Sequence, residues 1–179
     1  MDKYGVISAA DTVRFERLLP GPIERVWAFI TESDKRAKWL AAGPMELRMG
    51  GGVELTFRNS TLSPIPETIP DKYKHHEDGV GFAAQITRCE PPRLLSHTWG
   101  GMDSAASEVT YELTPDGDRV LLVLTHRLLS GRAAMLSVSG GWHTHLDILA
   151  TLLNDEAPPP FWSTFGRLEG EYESRIPRP

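Results

Sequence analysis

Only one cysteine, Cys89, occurs in 179 residues. An intramolecular disulfide and a cluster of thiolate metal ligands are therefore excluded. Long apolar runs are also missing, with no stretch of about 18 consecutive apolar residues of the kind that crosses a membrane as a helix. Met1 to Asp11 holds no apolar core of signal-peptide length, so a cytoplasmic protein is the expectation. Positive charge is scarce: 19 basic residues stand against 24 acidic ones, for a net charge of -5. No segment gathers Lys and Arg, so nucleic acid is not an expected partner. The glycine run Gly50 to Gly52 lacks a P-loop lysine, and no serine-nucleophile motif occurs. Cys89 has only Arg88 beside it to favour a thiolate.

What is present reads as an ordinary α+β chain. Apolar residues make up 40% and charged residues 24%, the usage of a globular protein, and the length fits one domain over residues 1–179. Val13, Phe15 and Arg17 alternate against Arg14, Glu16 and Leu18, predicting a first strand over Thr12 to Leu19. Pro20-Gly21-Pro22 stops it. Pro22 then suits the first turn of a short helix that buries Ile23, Val26, Trp27 and Ile30. Thr31 to Asp34 signals a second short helix ending near Trp39. Met45, Leu47 and Met49 before the glycine run, and Val53, Leu55 and Phe57 after it, predict a hairpin. Ser60 to Gly79 has no period and holds three prolines, Pro64, Pro66 and Pro70. So long a loop is either a lid or a mobile excursion, with a short helix near Asp71 to His76.

Four more strands are predicted over Val80–Cys89, Arg93–Trp99, Ser107–Leu113 and Val120–Leu128, with Asp116-Gly117 as a hairpin turn. Their one-sided alternation suits an antiparallel sheet. After Gly140-Gly141 comes the longest helical pattern, Trp142 to Asn154. At 100° per residue, Trp142, His145, Leu146, Ile148, Leu149, Leu152 and Leu153 share an apolar arc. Phe161, Trp162, Phe165, Leu168 and Tyr172 predict a final short helix within an extension over 158–179, beyond a core of about 12–154.

Strand, two short helices, six strands and a long helix make the helix-grip arrangement, a curved antiparallel sheet around a C-terminal helix. The stretches PIERVW (Pro22–Trp27), Trp39, PMELRMGG (Pro44–Gly51), EPPRLLSHTW (Glu90–Trp99) and GWHTHLDILATLL (Gly141–Leu153) resemble the START/polyketide-cyclase superfamily (SRPBCC, Bet v allergen-like). The likeness is to the branch named after the activator of heat-shock protein 90 ATPase. It covers residues 12 to 154. It implies the fold and an internal cavity for a small hydrophobic molecule, with some cyclases and lyases among the members. The name-giving activator implies a chaperone partner, but no second domain is seen here for that contact.

Within this frame His145 is the most informative residue, because a polar ring inside an apolar arc needs a partner. It either orients a ligand or serves as a general base, or it is tied to a backbone carbonyl or a buried water. His126 poses the same question from its strand, and His97 joins the uncertain set. Trp99 and Trp142 are candidate pocket lining, with Leu149 on the helix floor and Leu124 on the strand wall. His143 and His145 point about 200° apart on a helix, so no metal site is expected. His143 and Asp147 suit a surface pair, and His75-His76 a solvated loop. No cofactor is expected. The leading expectation is a binder of a small apolar ligand. The alternatives are a cyclase, dehydratase or hydrolase using His145, and an interaction protein, either a chaperone regulator or a homodimer formed through the C-terminal helix.

Overall fold

A computed structural model describes residues 3–101 and 106–178. Its elements are β1 (Val6–Ala9), β2 (Thr12–Pro20), α1 (Ile23–Thr31), α2 (Ser33–Arg36), β3 (Gly52–Phe57), β4 (Val80–Glu90), β5 (Leu94–Trp99), β6 (Ser107–Asp116), β7 (Arg119–Arg127), α3 (Gly131–Leu153) and α4 (Phe161–Arg175). The strands form one seven-stranded antiparallel sheet in the order β1-β2-β7-β6-β5-β4-β3. The alternation that predicts β2 is also its burial pattern, with Val13, Phe15, Arg17 and Leu19 all turned inward.

The sheet curves round α3. Rings of β5, β6 and β7 (Trp99, Tyr111 and His126) lie 4.9, 6.0 and 6.3 Å from Trp142. Phe57 of β3 and Phe15 of β2, at the two sides of the sheet, lie 6.3 Å from His145 and 6.4 Å from His143. This is the helix-grip fold.

Four sequence expectations change. First, β1 precedes the expected first strand; all four of its residues are exposed, so no buried face marks it in the sequence. Second, Met45 to Met49 is not a strand. Met45 makes one isolated bridge to Val53, and the backbone then folds on itself through Arg48 N to Glu46 O (2.7 Å) and Gly51 N to Arg48 O (2.9 Å). Leu47 and Met49 are exposed, so their alternation reports no core face. Five strands therefore follow the short helices rather than six.

Third, α3 starts at Gly131, well before Gly140-Gly141, and runs straight through that pair. Gly140 is there because α4 crosses close by: a Cβ on it would lie 3.2 Å from Phe165 Cε2. Fourth, the side of α3 that carries His143 is covered. His143 is 4% exposed, its Nδ1 lies 3.0 Å from the Tyr172 hydroxyl of α4, and its Nε2 lies 3.5 Å from Asp147. The His143–Asp147 pair forms, but under α4 and the N-terminal segment rather than at the surface.

One buried cation braces the turn that meets α3. Arg36, 1% exposed, donates from Nε to Ala41 O (3.1 Å), from Nη1 to Thr31 O (2.8 Å) and from Nη2 to Gly43 O. Charge-assisted donation to a free carbonyl at the end of α1 and to two carbonyls of the loop after α2 offsets the cost of burying a guanidinium. The same turn is held by Trp39 Nε1 donating to Phe29 O (2.7 Å).

Candidate functional site

A cavity of about 280 Å³ opens between α3, α4, the β3–β4 edge of the sheet and the end of β5. Trp99, Trp142 and His145 stand on its wall, with Phe57, Phe82, Phe161, Trp162 and Phe165. Trp99 meets its neighbours edge-on or tilted, 5.7 Å from Phe57, 5.1 Å from Phe82 and 4.9 Å from Trp142, geometry that aromatic quadrupoles favour. Gly141 is the gap in the wall of α3, because a Cβ there would meet nothing within 4 Å.

The remaining side comes from the proline-rich loop. Its segment Asp71–His76 forms a short 3₁₀ turn that brings Tyr73 and His76 to the cavity. Tyr73 stacks on Trp162 at 5.2 Å and its hydroxyl lies 3.1 Å from Glu169, which also pairs with Lys72 at 2.6 Å. Pro160 gives α4 no side-chain cap. Glu67 supplies one instead, its carboxylate accepting the Trp162 and Ser163 N–H groups, each at 2.8 Å. That satisfies two of the helix's free donors and places negative charge at the positive end of its dipole. Ser60 Oγ accepts from Trp162 Nε1 at 2.9 Å, and Ser63 Oγ donates to Pro158 O at 2.9 Å. Loop and helix are thus tied into one cover.

The three histidines facing inward have different fates. His126 accepts from Trp142 Nε1 at Nδ1 (2.9 Å), so its proton sits on Nε2 and is donated to Ser107 Oγ (2.8 Å). Both nitrogens are occupied, and the ring stands behind Trp99 and Trp142 rather than on the cavity wall. Leu124 and Leu149 are likewise fully buried in the core behind that wall. His97 donates from Nδ1 to Thr98 O (2.7 Å), and its Nε2 is sealed in without a partner.

His145 alone of the three reaches the cavity. A carbonyl only accepts, so the 2.6 Å contact between Nδ1 and Trp39 O puts the proton on Nδ1 and leaves Nε2 as a lone-pair acceptor. No described residue bonds Nε2, and unlike His97 Nε2 it is not among the sealed orphan atoms. Burial holds all three rings neutral, pushing His97 and His145 down to about 4 and His126 to about 3. Among the described residues no group of three or more His, Cys, Asp or Glu is placed to hold a metal.

Sequence reasoning did not assign Phe57, Phe82, Tyr73 or the α4 aromatics to the site. The stripe Phe161, Trp162, Phe165 was visible as a helix face, but nothing in its period says which element it covers.

A family model described as "Activator of Hsp90 ATPase homolog 1-like protein" matches residues 20–154. The chain belongs to that family. Likeness to a solved structure extends past the matched region: a protein from Bordetella parapertussis, solved by solution NMR, is 48% identical, with a TM-score of 0.83 over 99% of this chain and 92% of the other. More distant structures share the fold. CalU16 from Micromonospora echinospora is 21% identical with a TM-score of 0.64, covering 96% of this chain and 93% of its own. A conserved protein of unknown function from Enterococcus faecalis is 19% identical with a TM-score of 0.65, over 93% and 86% of the two chains. No curated protein matches the chain. No helix among the described residues is long and apolar enough to cross a membrane.

Proposed function

We propose that the protein binds a small uncharged apolar molecule in this cavity. The observation that carries the reading is the lining itself: among its residues none is Asp, Glu, Lys or Arg. Burial lowers the proton affinity of His145 and His76 and raises the Tyr73 hydroxyl, so these groups favour their neutral forms too. A charged ligand would leave water for a site with no opposite charge to receive it, and that costs several kcal/mol or more. A dry cavity of roughly 150 Å³ takes benzene, so one of about 280 Å³ suits a bicyclic ring system.

Binding is favoured over acid–base turnover because a histidine pushed to about 4 is a weak base at neutral pH. The test is a protein-observed NMR titration, following the indole N–H signals of Trp99, Trp142 and Trp162. The probes are 2-naphthol, 2-methoxynaphthalene and 2-naphthoate. Saturable shifts with the neutral probes and none with the carboxylate are expected. Failure of both neutral probes to bind would overturn the proposal.

A further inference from the structure

The wall is neutral, but it is not featureless. His145 and Trp99 both stand near Phe57 on it. His145 lies 6.3 Å from that ring and Trp99 lies 5.7 Å from it. His145 offers a bare Nε2 lone pair, fixed in that tautomer by the bond from Nδ1 to Trp39 O. Trp99 also lines the cavity, and its Nε1–H bonds no described residue. The contrast with the neighbouring rings is informative. The Trp142 and Trp162 indoles are both spent, on His126 and Ser60, and so are both nitrogens of His126. The Nε2 acceptor of His145 on α3 is therefore open to a guest.

Resting on the binding role proposed above, we infer that the ligand carries a hydroxyl on its ring system, donated to His145 Nε2. His145 is then a specificity-determining residue that separates hydroxyarenes from their ethers and parent hydrocarbons. A ring lacking the O–H would cover Nε2, strip it of water and return nothing, and an acceptor left so is costly.

The cavity's position explains why the acceptor stays available. Arg36 and Trp39 hold the turn that carries the Trp39 carbonyl, and that carbonyl holds the ring. Asn59 Oδ1 and His76 Nδ1, on two further lining residues, also lack partners but are sealed in. A ligand does not reach them without movement of the loop.

The experiment compares 2-naphthol with 2-methoxynaphthalene, which keeps the ring and the oxygen but has no proton for His145. Native protein should bind 2-naphthol roughly tenfold more tightly. His145→Asn places an amide nitrogen where Nδ1 donates to Trp39 O, so it retains that bond while removing Nε2. In H145N the tenfold preference should vanish while binding of the ether persists. Equal affinity of the two probes for native protein overturns the inference and leaves the binding role standing. A preference that survives in H145N, in a variant with native circular dichroism, also overturns it. Failure of both probes removes the binding role and the inference together.

Discussion

Two adjacent glycines inside one helix should respond in opposite directions to the same substitution. In a helix interior, glycine costs about 0.5–1 kcal/mol relative to alanine, because it has more backbone freedom to lose. At Gly141 a Cβ would meet nothing within 4 Å, so Gly141→Ala should recover that amount. At Gly140 the new carbon would stand 3.2 Å from Phe165 Cε2 and 3.7 Å from Glu169 Cα. The Phe165 ring has little room to yield, being stacked on Phe161 at 5.8 Å and held edge-on by Tyr73 at 5.5 Å. Forcing an extra methyl into a packed contact costs about 1–3 kcal/mol, so Gly140→Ala should be a net loss. The two variants should then differ by about 2 kcal/mol, or roughly 4–8 °C in Tm for a chain of this length. Thermal melts followed by circular dichroism measure this directly. Equal shifts, or a lower Tm for Gly141→Ala than for native protein, would show that the space at Gly141 is not what it is taken to be. Gly141→Leu sharpens the test, since it should fill the cavity and abolish probe binding without unfolding the chain.

Two further outcomes are expected. Glu67→Ala removes the acceptor of two N–H groups at the start of α4, which should cost about 1 kcal/mol. It should also speed hydrogen exchange at the first turn of α4; unchanged exchange there would refute the capping role. Acid should destabilise the fold through His97, His126 and His145. Unfolded, they take up protons near pH 6.5; folded, they resist until about 4, 3 and 4. Between those limits the unfolded chain holds more protons, so stability falls as pH falls from about 6.5 to about 4. The slope should approach roughly 4 kcal/mol per pH unit near pH 5. Urea unfolding at pH 5 and pH 7 with equal midpoints would contradict it.

The legible parts of the sequence were those where one face meets core and the other meets water. The alternation in Thr12 to Leu19 and the arc through Trp142, His145 and Leu149 both translate directly into burial. What stayed hidden depends on a third element. The first turns of α3, up to Gly141, escape the helical reading because the partner that packs on Gly140, Phe165, lies far along the chain. His143 reads as surface because helical period cannot show that Tyr172 will cover it. The site divides in the same way. Trp99 and Leu124 both face inward from their strands, yet only Trp99, at a strand end, reaches the cavity. Parity gives the face of a strand, and only depth along it decides between wall and core.

The cover over the cavity also sets an order of events. The sheet and α3 are complete by Leu153, whereas Phe161, Trp162 and Phe165 come from the element after them. During synthesis the earlier part of a chain is free to fold first, and here it would do so with the far face of α3 bare. The cavity is complete only once α4 has emerged and been clasped by Glu67, Ser60 and Tyr73.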